Sequence, residues 1–190
     1  MGAVEIRAII DGTTYEQGQI TSCRVTSGLF SGSTFSIGGC VAAQMEITLR
    51  HPASIARGAS ITLQCRSGPS DPWIPQGIYF IDTRTHDAAT DTLTLSCYDA
   101  MLKAEQQWLQ PGYELKHWPM PPMTAVEDIA GRMGVTIDGR TVLDPQFPAE
   151  YPVDEYGDLT MREVLSYLAM ANAGNWIITH SGELLLVRMQ

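Results

Sequence analysis

The sequence predicts an α+β protein: an N-terminal antiparallel β-barrel or sandwich, followed by a smaller region with two helix–Gly–strand units. Three observations carry that expectation. Short stretches of alternating apolar and polar residues, separated by turn chemistry, fill the first half. Two T-x-x-E boxes then open helical patterns in the second half, and each pattern runs into a glycine and a strand-like stretch. The change of character falls near Tyr98-Asp99, which sets a β domain over 1–98 and an α+β domain over 99–190.

The strands come first. Val4, Ile6 and Ala8 lead to an Asp11-Gly12 turn. Met45, Ile47 and Leu49 alternate with Glu46, Thr48 and Arg50, the period of a half-buried strand. Ile61, Leu63 and Cys65 repeat the pattern, Ile78 to Ile81 form a short apolar run, and Leu93, Leu95 and Cys97 alternate again. Arg57-Gly58, the stretch from Ser67 to Pro72, and Asp87 to Asp91 supply the turns.

The second half begins with Asp99 as a helix N-cap before the helix formers Ala100 to Glu105. Trp118-Pro119-Met120-Pro121-Pro122 cannot continue a helix and reads as an extended connector. Thr124-Ala125-Val126-Glu127 and Thr160-Met161-Arg162-Glu163 are the two capping boxes. Gly134 and Gly174 suit the left-handed position that ends each helix, and Val135 to Ile137 and Trp176 to Thr179 are the strand-like runs that follow. Between the units, Asp138 to Asp158 holds six acidic residues against Arg140 alone, together with three prolines, and reads as an exposed, partly stiff connection. The final Glu183 to Gln190 stretch is an apolar strand without a closing turn, expected either to mark a fragment or to complete a sheet in a partner.

Composition narrows the function. The 190 residues are 44% hydrophobic and 17% charged, enough apolar material for a packed core. A formal charge of -9, from 12 Lys+Arg against 21 Asp+Glu, disfavours phosphate backbones and anionic membrane surfaces on Coulomb grounds. No secretory signal is visible at Met1 to Ile6, and no apolar run approaches the roughly 20 residues that cross a bilayer. Cys23, Cys40, Cys65 and Cys97 form no CxxC pair, and each reads as a reduced core thiol of a chain made in a cytoplasm.

The catalytic inventory is thin. HExxH, phosphate-loop, dinucleotide-loop and G-x-S-x-G patterns are all missing, so no catalytic, cofactor-binding or metal-ligating residue is assigned. His51, His86, His117 and His180 lie far apart at loop edges. Asp82, Asp87, Asp91 and Asp99 cluster around one hairpin but lack the calcium-loop pattern, so turn formation and capping explain them. Candidate contact residues are Leu29 and Phe30, in the flexible Gly28-Leu29-Phe30-Ser31-Gly32 loop, and Trp73 and Trp118, which stand beside prolines. Exposed Trp73 or Trp118 could also stack sugars, which keeps a carbohydrate-binding module of a cell-wall-targeting protein as the alternative, with a hydrolase third.

The stretch Asp91-Thr92-Leu93-Thr94-Leu95-Ser96-Cys97-Tyr98-Asp99 resembles a pattern of phage tail hub proteins, a Thr/Leu strand followed by Tyr-Asp and an apolar helix. Gly77 to Asp82 is similar to the strand that pairs with it there, and Phe35 to Cys40 leading into Met45 to Leu49 looks like that family's early strands. Thr160 to Leu165, Ala173 to Trp176 and Gly182 to Leu185 resemble its late helix and hairpin. The family is the prophage tail or baseplate hub class. The resemblance implies a virion structural protein without catalytic residues, made in the bacterial cytoplasm and assembled into the tail. It also implies a trimer or ring as the working state, with neighbouring tail proteins as partners, no cofactor, no nucleic acid and no membrane insertion.

Overall fold

Alternation in the first half produces one seven-stranded antiparallel sheet. The computed structural model describes residues 4–30, 32, 34–52, 54–56, 58–110, 118–154 and 157–189. Of the residues singled out above, Met1, Gly2, Ala3, Ser31, Arg57, His117, Glu155 and Gln190 lie outside that range. The strands are β1 (Glu5–Ile10), β2 (Thr13–Tyr15), β3 (Ile20–Thr26), β4 (Gln44–Arg50), β5 (Ser60–Arg66), β6 (Ile74–Asp87) and β7 (Thr92–Tyr98). They pair in the order β2-β1-β5-β6-β7-β4-β3. The sheet is single and curls as a half-barrel, so it takes the barrel-like form and not the sandwich.

Register explains which residues go inside. Met45 faces Cys97, Ile47 faces Leu95 and Leu49 faces Leu93 across the β4–β7 pair. All but Leu93 of these are fully buried, while Gln44, Glu46 and Arg50 point outward. Ile61 and Leu63 of β5 and Tyr79 of β6 join the same core. Each such side chain contributes about 1.5–3 kcal/mol on leaving water. Strand β3 was not foreseen. Most of its residues are exposed, so no burial alternation marks it, and backbone pairing to β4 from Ile20 to Thr26 builds it instead.

The chain divides into two compact units. One contains residues 1–27, 43–99 and 180–182; the other contains residues 28–42, 100–179 and 183–190. A cut at Tyr98/Asp99 therefore leaves out residues 28–42, which belong with the second unit. The second unit holds a 3-10 helix at Ala100–Glu105, α1 (Pro122–Met133), β8 (Val153–Asp154), β9 (Gly157–Asp158), α2 (Met161–Ala171), β10 (Gly174–Ile178) and β11 (Leu184–Arg188). Strands β10 and β11 form a hairpin, with Trp176 opposite Leu186. Trp176 is fully buried, and its indole N–H donates to Leu165 O of α2 at 2.8 Å.

The two helix–Gly–strand units converge on this hairpin, although the first contributes no full strand. Ile137 makes a single parallel bridge to Leu184, supported by Leu184 N to Thr136 O at 2.8 Å and Asp138 N to Leu184 O at 2.9 Å. Residues 36–40 add a further layer. Gly38 N donates to Gly174 O at 2.9 Å, and Trp176 N donates to Gly39 O at 2.8 Å. Between those bonds, the fully buried Asn175 accepts from Gly39 N at 2.5 Å and donates to Ser36 O at 2.8 Å.

Helix ends correct two sequence expectations. Thr160 forms the full capping box with Glu163, each side chain serving the other's backbone N–H. Thr124 does not cap α1. That helix starts at Pro122, three residues before the Ala125 start that a Thr124 cap would give, because the fixed proline φ is already helical and the missing N–H needs no partner. At the other end, Gly134 takes the left-handed φ of 73° that ends α1. Gly174 does not play that part for α2, since Ala173 carries the positive φ of 50°. Gly174 is needed for close approach: a Cβ there would sit 2.8 Å from Val187 O across the hairpin.

These ends separate under mutation. Thr160→Ala should cost about 1 kcal/mol in urea unfolding, whereas Thr124→Ala should cost less than about 0.5 kcal/mol. Equal losses would mean that both boxes cap.

Candidate interaction surface

Four residues were expected to stand out as contacts, and packing treats them differently. Leu29 and Phe30 are half-buried, and the Phe30 ring lies 5.4 Å from the Phe35 ring. Phe35 itself is 59% exposed and Ile37 is 41% exposed, so the open apolar surface of this stretch sits a few residues further along. Trp118 packs edge-on against the buried Trp108 at 5.0 Å and against Tyr151 at 5.7 Å. The indole N–H of Trp108 donates to Asp128 Oδ2 at 2.6 Å, which anchors this aromatic group to α1.

Trp73 is engaged by charge. The guanidinium carbons of Arg7 and Arg66 lie 4.2 and 4.4 Å from its ring centroid, a cation–π arrangement. Arg66 is held in turn by Glu5 at 2.6 Å, and Arg7 Nε donates to Gln64 Oε1 at 2.6 Å. A sugar ring stacking on that face would have to displace a guanidinium.

The titratable side chains serve turns and cores. His51 Nδ1, just past the end of β4, lies 2.5 Å from Asp91 Oδ2, and His86 Nε2 lies 3.4 Å from Asp91 Oδ1; His86 and Asp91 belong to the exposed end of the β6–β7 hairpin. Hydrogen bonds from the two rings, His51 first, hold the Asp91 carboxyl below the usual carboxylate range. Asp87 accepts from Ala89 N and Thr90 Oγ1, closing the turn, and Asp99 Oδ2 accepts from Ala43 N at 2.8 Å. Burial pushes the Cys23 thiol up to about 11 and those of Cys40 and Cys97 up to about 12, so these thiols stay protonated at neutral pH. Among the described residues, no group of three His, Cys, Asp or Glu could hold a metal ion. No helix among them is long and apolar enough to cross a membrane.

Most of the described residues from Asp138 to Asp158 are exposed, as expected, but the stretch is pinned at several points. Asp138, Leu143 and Ala149 are buried. Met120 and Ala149 exchange both backbone hydrogen bonds, at 2.9 and 2.8 Å, and Asn172 Oδ1 accepts from Asp144 N at 2.7 Å. The prolines and acids suggested solvent, but local backbone pairing decides the path.

That path builds a groove which the sequence did not reveal. Phe147 to Val153 run beside α2, and with Leu159, Val164, Tyr167, Leu168 and Ala171 they enclose about 350 Å³. Val164, Tyr167, Leu168 and Ala171 follow helical spacing along one flank of α2. Tyr167 is 53% exposed and Met170 is 49% exposed, so past the exposed Glu163 the outward face of the helix is apolar where a solvated helix would carry charge. The Met170 side chain lies over Gly38 on the other flank, beside the open Ile37. The apolar spacing in α2 was legible, but which of its faces stays uncovered was not.

No family model matches the chain, and neither does any curated protein sequence. Among solved structures it is similar to the 43 kDa tail protein of prophage MuSo2 from Shewanella oneidensis. That match has a TM-score of 0.66 at 16% identity and covers 100% of this chain and 57% of that one. It is also similar to the tail protein from Neisseria meningitidis MC58, with a TM-score of 0.63 at 12% identity over 98% of this chain and 50% of that one. The chain thus spans about half the length of either protein. It has the fold seen in these tail proteins.

Asp138 yields a pH prediction. Hydrogen bonds from Arg140, at 2.9 and 2.6 Å, hold its carboxyl down at about 2, below the ordinary 3.8. The associated stability is therefore fully present above pH about 4 and is lost as the pH falls through about 2. Carboxyl-carbon NMR should show Asp138 titrating near that lower value, and Arg140→Gln should move the midpoint up. An unmoved midpoint would show that Arg140 is not the cause.

Proposed function

We propose that the chain is a structural component of a phage-type tail tip or baseplate hub. It works by self-assembly and by contacts with other tail proteins, not by catalysis. The observation that carries this reading is a fold shared along the whole chain with a prophage tail protein at a TM-score of 0.66. The order of strands, capped helix and late hairpin that resembles the tail hub class supports it from the sequence side.

Assembly through surfaces fits the chemistry. Phe35, Ile37, Tyr167 and Met170 are large apolar side chains left open on the second unit, the kind of surface that partners cover. The half-buried Phe30 packs against Phe35, one of these open side chains. Synthesis takes place in the bacterial cytoplasm, and the finished protein sits in the virion tail. A trimer or ring is the working state, since closed rotational symmetry is what a tail component requires.

Immunogold electron microscopy on purified particles tests the location. Antibody raised against this chain should decorate the tail end of intact virions, and particles purified free of the label would overturn the reading. Sedimentation at tens of micromolar should in addition show three or more copies per complex.

A further inference from the structure

We propose that the groove beside α2 docks a segment of another protein that carries one or two large apolar side chains flanked by Lys or Arg. Its size sets the anchor. About 350 Å³ is at the lower end of the range for bound organic groups and accommodates a Leu or Phe side chain with a neighbour. Its lining sets the polarity. Phe147, Tyr151, Val153 and Tyr167 are between 39% and 53% exposed around one depression, a concentration of apolar surface that a partner would remove from water.

Charge sets the flanks. Glu150 lines the groove, and among the described residues lining it there is no Lys or Arg. From Asp144 to Glu163 the chain carries six carboxylates against Arg162 alone. That guanidinium is already committed, to Glu105 at 3.0 Å and to Met101 O at 3.0 Å. The whole second unit holds twelve acidic side chains against six Lys and Arg. A cationic flank gains from this field, and an acidic one is repelled. The local charge argues against the same groove of a second copy as the occupant, because Glu150 would then face its own counterpart. The inference rests on the groove's own chemistry and holds independently of any role in a tail.

The test is an amide NMR titration of the 190-residue chain with three synthetic peptides of equal length. The first has a Leu-Phe centre flanked by lysines, the second has the same centre flanked by glutamates, and the third keeps the lysines around an Ala-Ala centre. The first should shift amides of Ala149, Glu150, Tyr151 and Val153 and of Val164 to Ala171, and the other two should bind about tenfold more weakly or worse. Tyr167→Ser, at an exposed position, should weaken the first peptide by about tenfold, and Glu150→Lys should weaken it by about threefold. Val153→Ser gives a second apolar variant should Tyr167→Ser lose amide dispersion. Equal binding of the glutamate peptide would overturn the inference. So would shifts elsewhere, or none at millimolar lysine peptide. Groove resonances that broaden with chain concentration alone would assign the site to a second copy and overturn it likewise.

Discussion

The second unit depends on a buried amide. Asn175 is fully enclosed, at the start of β10, and its side chain can be satisfied only by residues far away in the chain. Its oxygen takes Gly39 N and its nitrogen serves Ser36 O, while backbone bonds from Gly38 to Gly174 and from Trp176 to Gly39 lock the register on either side. An unpaired amide at such a site would cost several kcal/mol, so the arrangement is all or nothing. Three further features follow from it. Gly174 must lack a side chain to let β11 approach, Trp176 is carried under α2, and Ser166 of α2 reaches Gly38 O at 2.6 Å.

With β10 fixed in this way, α2 has only one orientation available. Met161, Val164, Leu165, Leu168 and Ala169 turn inward, and Tyr167 and Met170 are left outward. The acidic stretch returns along the flank of the helix, tied by Asn172 to Asp144 and by Met120 to Ala149. An apolar groove with Glu150 in its lining is the outcome. A depression of about 350 Å³ takes one or two side chains, whereas a standard protein interface involves roughly 20–30 residues a side. It is therefore suited to anchoring a contact whose wider area comes from elsewhere on the surface. The open apolar residues around Phe35 and Ile37 provide more of the same material on the other flank of α2.

Much of the fold could be read directly from residue order. Strands β4, β5 and β7 announce themselves because one face is buried and the other wet, which writes alternation into the sequence. The Thr160 box and Gly134 were legible because capping needs particular side chains at fixed spacing. Where that coupling between chemistry and position fails, so does the reading. Strand β3 is held by its backbone and carries no pattern, and Thr124 has the right spacing inside a helix that a proline had already begun. Gly174 looked like a helix stop, yet its role is set by a strand it meets only in three dimensions. The candidate site was less legible than the fold. Trp73 and Trp118 were conspicuous by type, but no sequence pattern marks the Arg7, Arg66 and Trp108 side chains that close on them. The groove depends on which side of α2 is left bare, a property of packing and not of spacing.

The discontinuous make-up of the second unit bears on how the molecule can be dissected. Its sheet layer draws on residues 36–40, which leave the ribosome long before β10 and β11 are made. Those early residues must wait for most of the polypeptide to be synthesised before their partners exist. A recombinant fragment starting at Asp99 would expose the Trp176 backbone and strand both ends of the Asn175 amide. Expression of the latter half alone is thus expected to give insoluble material, whereas a version that splices residues 28–42 back onto it by a short linker would restore the missing layer.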